Sequence, residues 1–225
     1  MRWIYLNHIL SSNSPLYKED GKIQIRPVRA IKNGNSSNNS ELSFPAHSGT
    51  HIDAPFHFDD HGLKLDEYPA DYWIASRVSL LDFPCKPGHI LRLAEVKKQL
   101  ASLDPETDFL IVRTGAELWR TKKYDAFCFH GVGIAFDLAQ WLRLNLNLKF
   151  LGTDAISVSS PANSVEGRKA HCALLANNDS GKPPVLLVED MALAQLSTVP
   201  LEVVIAPLLY EGADGSPVTV LAHVL

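Results

Sequence analysis

Four residues able to bind a metal or move a proton stand within eleven positions of one segment, HSGTHIDAPFH: His47, His51, Asp53 and His57. Their spacings are four, two and four, all even, and an extended chain puts evenly spaced residues on one face. A helix would scatter them. At about 100° per residue His51 lies about 40° from His47, whereas Asp53 and His57 fall about 240° and 280° round, and Pro55 would break the helix. This is therefore not the helix-borne HExxH pair of the zincins. A straight strand fails as well: at ~3.3 Å per residue His47 and His51 stand roughly 13 Å apart, and a metal–nitrogen bond is only about 2.0 Å long. The segment must bend. Gly49 supplies the backbone freedom and Pro55 fixes the exit. Two histidines and an aspartate suit Zn²⁺ or Mn²⁺ and leave a position open for water. The plain alternative is chance clustering of surface histidines, and four in-phase ligand types flanked by glycine and proline weigh against it. His61, in DDHG, reads as an exposed turn.

A hydrolytic metal site draws its other ligands from distant segments. His171, in RKAHCALL, lies in a stretch of helical character and reads either as a satisfied structural histidine or as a ligand. Glu189 ends the apolar run PPVLLVED. A carboxylate at the end of a buried strand is costly unless paired or metal-bound; alternatively it opens an exposed turn before a helix at 190–197. Asp154, in FLGTDAIS, has the same placement, with a turn or N-cap role as its alternative. Cys172 reads as a buried structural thiol.

The frame that must hold these side chains is globular. Hydrophobic residues make up 46% and charged residues 20%, which excludes a disordered chain. The 225 residues form one large domain or two small ones by length alone. No linker or internal repeat divides them, so a single domain over 1–225 is expected. A chain of this size buries roughly 70% of its unfolded surface and needs no metal merely to fold, so a metal site here calls for a chemical explanation. The balance of 21 basic and 25 acidic residues, with no basic stripe, argues against nucleic acid. Apolar runs such as VVIAPLLY fall short of the ~20 residues a bilayer span requires, so no membrane partner is expected. Three cysteines without CxxC spacing fit a reducing compartment. The N-terminal MRWIYLNHIL lacks the pattern of a signal peptide, and together these predict a cytoplasmic protein. Turn residues and β-branched or aromatic enrichment place strands near 2–6, 22–29, 76–83, 107–113, 148–152, 184–189, 201–209 and 217–224. Apolar periodicity places helices at 91–103, 135–148 and around 167–176. NGNSSNNS, from Asn33 to Ser40, reads as a polar loop. Strands irregularly interleaved with fewer helices predict a mixed α/β domain.

HSGTHIDAPFHF resembles the signature of the cyclase-type metal-dependent hydrolases, a family that includes bacterial kynurenine formamidase and isatin hydrolase. LIVRTGAELW at 110–119, FLGTDAISV at 150–158 and the terminal IAPLLYEGADGSPVTVLA resemble further segments of that family, in the same order. The resemblance implies a swivelling β/β/α fold, a homodimer or homotetramer, and one or two divalent ions, zinc or manganese. It implies that His47, His51 and Asp53 hold one metal and that Asp53 bridges to a second held by His171 and Glu189. His57 would be the acid/base. Two departures bear on substrate. PLYKED stands where the family commonly has Pro-x-Tyr/Trp-Pro-Gly-Asp, so Tyr17 is the nearest match to its substrate-contacting aromatic residue. NNDSGKPP at 177–184 looks like an insertion that widens the separation of His171 from Glu189.

The implied reaction is hydrolysis of a small amide, most like an aryl formamide, by metal-activated water, with His57 carrying the proton. Alternatives are hydrolysis of a cyclic amide or lactone, a metal-dependent cyclase or dehydratase, and a non-catalytic metal- or ligand-binding protein. A pure binding site has no need of His57. No G-x-S-x-G elbow supports a serine hydrolase. Gly131-Val132-Gly133 lacks the third glycine of a dinucleotide loop.

Overall fold

Apolar residues in FLIV and VLLV alternate between two buried faces, and that alternation organises the whole molecule. The computed structural model describes residues 1–225. Its strands are β1 (Arg2–Tyr5), β2 (Gln24–Arg29), β3 (Asn39–Ser43), β4 (His51–Asp53), β5 (Ile74–Ala75), β6 (Val78–Asp82), β7 (Ile90–Leu91), β8 (Phe109–Arg113), β9 (Gly133–Ile134), β10 (Phe150–Thr153), β11 (Leu186–Glu189), β12 (Glu202–Pro207) and β13 (Gly215–Val224). The helices are α1 (Leu93–Leu100), α2 (Trp119–Lys122), α3 (Tyr124–Phe129), α4 (Phe136–Asn145) and α5 (Ser164–Leu175).

Nine strands form one mixed sheet in the order β5-β12-β13-β4-β11-β10-β8-β6, with β1 on β13. The two edge strands, β5 and β6, are separated in the chain only by Ser76 and Arg77. The sheet therefore curls until its edges nearly meet. Inside the curl, Phe109, Ile111, Phe150 and Val188 pack against Val203, Ile205 and Val220 from the opposite wall. On the other face, Leu110, Val112, Leu151 and Leu187 pack against Val96 of α1, Leu138 and Leu142 of α4, and Leu174 of α5. Burial on both faces explains why β8, β10 and β11 read as unbroken apolar runs. The result is the expected mixed α/β architecture: two β layers around one core and a helical layer over the second.

The eight expected strands and three expected helices form, each within a few residues of its anticipated bounds. The 33–40 segment differs. Asn39–Ser43 is strand β3, which pairs with β2 in a hairpin whose strand residues are all exposed. An exposed strand has no core face, so its sequence lacks the alternation that would reveal it. The helix expected at 190–197 does not form. Asp190 adopts a left-handed φ of 51°, and its buried carboxylate is gripped by Arg120 at 2.8 and 2.9 Å, which turns the chain away at once.

Candidate metal and catalytic site

β4 sits between β11 and β13, and this register builds the site. Glu189 lies directly opposite His51, and Gly215 opposite Asp53. His51 and Asp53 share one face. Ile52 points into the first core, so that face looks toward the helices. There α5 supplies His171. Asn163 caps α5 by accepting the Glu166 N–H at 3.3 Å. Gly167 in its interior costs about 1 kcal/mol of helix propensity, but a Cβ there would collide with Ser159, so the close approach of α5 to the sheet requires glycine.

The bend demanded by the histidine spacing is present. Gly49 has a φ of 62°, and the His47 and His51 rings come to 5.3 Å between centroids. Gly215 serves the same end, since a Cβ there would strike the His47 ring.

Four side chains converge in a buried cluster. His51 Nε2 lies 3.4 Å from both Asp53 Oδ1 and Glu189 Oε2. His171 Nε2 lies 3.5 Å from Glu189 Oε1 and 3.7 Å from Asp53 Oδ2. None of the four residues is more than 6% exposed, so their charges are largely desolvated. The other ring nitrogens are committed: His51 Nδ1 donates to the Gly49 carbonyl at 2.8 Å and His171 Nδ1 to the Gly167 carbonyl at 2.9 Å. That commits Nδ1 of each ring as a donor and turns both Nε2 atoms toward carboxylate oxygens. Two imidazole nitrogens this close to carboxylates are satisfied by a proton on each ring or by a metal ion between them. Electrostatics agrees. Burial opposes charge on His51 and His171, yet Glu189 and Asp53 raise both above the usual histidine range. Burial likewise opposes the charge on Asp53, and His47 and His51 overcome it and lower its pKa. A cluster that draws in protons this way also suits a divalent ion, and two imidazoles with two carboxylates are a donor set for zinc or manganese.

A second group adjoins it through Asp53. His47 Nδ1 donates to Asp53 Oδ1 at 2.7 Å and His47 Nε2 to Asp214 Oδ2 at 2.9 Å. Burial disfavours charge on His47, but Asp53 and Asp214 outweigh it and push its pKa up to about 10. His57 lies against His47, its ring tilted by 32° with centroids 4.0 Å apart, and is exposed to the cleft. The structure thus gathers all six residues expected from the sequence, with Asp53 common to both groups. His51 lies with Glu189 and His171, while His47 lies with His57.

The site opens into a cleft of about 1320 Å³. Tyr17 stands on its wall with its hydroxyl 3.2 Å from Ser159 Oγ. Phe58 covers His171, ring on ring at 4.5 Å. Cys172 also lines the cleft and is half-buried rather than buried, because it faces away from the core side of α5. His61 lies in an exposed turn. Sequence reasoning missed Asp214, whose only local signal is a turn, and Ser157, which donates to Glu189 at 3.1 Å.

Fold and site together define a mixed α/β domain with a buried histidine–carboxylate cluster at the floor of a cleft. The Cyclase family model, described as "Putative cyclase", matches residues 4–160, and the chain belongs to that family. Cyclase-like protein 3 of Oryza sativa subsp. japonica is 28% identical over 224 residues, covering 96% of this chain and 78% of the rice protein. Kynurenine formamidase of Bacillus cereus is 26% identical over 218 residues, covering 96% and 94%. Among solved structures, isatin hydrolase A from Labrenzia aggregata, bound to benzyl benzoate, superposes with a TM-score of 0.82 at 22% identity, covering 98% and 93%. The fold is therefore shared across the length of the chain.

Proposed function

We propose that this protein is a metal-dependent hydrolase of a small amide, most like an aryl formamidase. The observation that carries the reading is the buried cluster of two imidazole Nε2 atoms facing two carboxylates, with both Nδ1 atoms already committed. His51, His171, Asp53 and Glu189 would hold a divalent ion, zinc or manganese, and His47 would join them at a second position through Asp53. When bound, such an ion lowers the pKa of water toward 7 and polarises a carbonyl. The remaining chemistry belongs to the chain. Asp53 and Glu189 supply the negative charge that balances a cation at the buried floor of the cleft. His57, exposed beside the cluster, takes a proton from water and returns it to the leaving nitrogen. Tyr17 flanks the bound substrate.

The bacterial formamidase supports an N-formyl aryl amine as substrate. The isatin hydrolase supports a cyclic amide, opened by the same attack. The three free cysteines support a reducing compartment such as the cytoplasm. No helix is long and apolar enough to cross a membrane. The wholly exposed β2–β3 hairpin, with Ile25, Val28 and Leu42 at its surface, supports assembly as a homodimer or homotetramer. The test of function is a panel of aryl formamides, cyclic amides and lactones, assayed with protein reconstituted with zinc or manganese. Turnover of a formamide above the others is expected; turnover of none contradicts the reading.

A further inference from the structure

Asp214 comes from the far end of the chain, at the start of β13, and touches both histidines of the outer group with a single oxygen. Its Oδ2 lies 2.9 Å from His47 Nε2 and 3.2 Å from His57 Nδ1. No other side chain hydrogen-bonds the His57 ring. The carboxylate is held in place by a built loop rather than by chance. Asp66 accepts the backbone N–H groups of Gly212 and Ala213 at 3.2 and 3.3 Å. The Asp214 carbonyl accepts the Ala54 N–H at 2.9 Å, three residues before His57 in the chain. The Tyr210 hydroxyl donates to the Gly215 carbonyl at 2.7 Å and lies 3.4 Å from Asp214 Oδ1. Asp214 is thus held by contacts independent of either histidine.

We propose that Asp214 is the positioning residue of His57: by accepting the Nδ1–H it fixes the ring's tautomer and leaves Nε2 bare toward the cleft as the proton acceptor. A carboxylate that orients a catalytic imidazole in this way decides which nitrogen can act as base. The same oxygen holds the His47 ring by Nε2, which leaves Nδ1 toward Asp53. A carboxylate behind a candidate metal-ligand histidine sets that ring's orientation as well. One residue therefore aligns the proton carrier with the ligand cluster. The proposal rests on His57 as the proton carrier, and its test separates the two.

The first readout needs no substrate. Long-range ¹H–¹⁵N correlation spectra of zinc-loaded, ¹⁵N-histidine-labelled protein, with His57 assigned by His57→Gln, should show the Nδ1–H tautomer. In Asp214→Asn, whose fold is checked by circular dichroism, that ring should lose this preference, and Asp214→Glu should restore part of it. The second readout is kinetic. Asp214→Asn should lower kcat by about 100-fold with KM changed less than threefold, yet cost less than twofold when His57 is already alanine. An Nε2–H tautomer in the wild-type protein, or equal losses in both backgrounds, overturns the proposal. A protein that hydrolyses no amide but shows the tautomer dependence would overturn the functional reading and leave the role of Asp214 standing.

Discussion

Glu189 and Asp154 stand at the ends of neighbouring parallel strands, β11 and β10. Both are buried, at 2% and 1% exposure, so burial alone does not tell them apart. Their partners do. Asp154 Oδ1 accepts the Thr114 N–H at 2.7 Å and the Thr114 hydroxyl at 2.8 Å, and its Oδ2 accepts the Glu117 N–H at 3.4 Å. These are neutral donors fixed by the turn after β8, and no cationic side chain touches the group. Glu189 Oε1 also accepts neutral donors, from Val158 N–H at 2.7 Å and Ser157. Its remaining contacts are the Nε2 atoms of His51 and His171. Asp154 staples two loops; Glu189 faces two imidazoles that take up a proton or a metal ion. A buried carboxylate signals function when its partners need a third party, not merely when it is buried.

Substitutions sharpen this contrast, beginning with the largest effect. Asp53→Ala should lose metal and activity together, by elemental analysis and assay; a fully metallated, active variant would refute Asp53 as the residue common to both groups. Glu189→Gln should weaken metal binding about 100-fold or more and lower the melting temperature of the metal-free protein, because it takes from His51 and His171 the buried carboxylate that faces them. His57→Ala should keep its metal and lose about 10²–10⁴-fold in turnover; equal metal loss would make His57 a ligand instead. On the other strand, Asp154→Ala should cost about 1–3 kcal/mol of stability by orphaning buried donors, with metal content unchanged. Metal loss in that variant would erase the distinction between the two carboxylates.

The smallest effect is a pH dependence. Burial raises the Asp154 pKa in the folded protein above its ordinary value, with the Thr114 hydrogen bonds opposing. A folded pKa above the unfolded one means that the contribution of this group is fully present below the ordinary aspartate range and is lost as pH rises through the folded value. Asp154→Asn, which stays neutral, should therefore gain stability relative to wild type over that rise, measured by urea unfolding at a series of pH values. A difference that does not change with pH would remove the buried charge from the account.

The histidine-rich segment was legible because its constraint is local. Even spacing on an extended chain, with glycine at the bend, describes His47 to His57 before any fold is known. Glu189 announced itself by ending an apolar run, though only pairing with β4 sets it opposite His51. Asp214 gave no such sign, because it reaches the histidines only when β13 returns beside β4, a pairing no local spacing encodes. The left-handed turn at Asp190 was hidden for the same reason, since Arg120 holds it from seventy residues away. The β3 strand escaped because nothing buries it. What the sequence conceals are the contacts made by returning segments.

The central claim is that the buried quartet of His51, Asp53, His171 and Glu189 holds a divalent ion needed for turnover. The most direct test is elemental analysis of purified protein, paired with formamidase activity before chelation, after chelation, and after adding back zinc or manganese. At least one ion per chain, with activity lost on chelation and restored by metal, is the predicted result. Less than one ion per chain, with no activity gained from either metal, would contradict it.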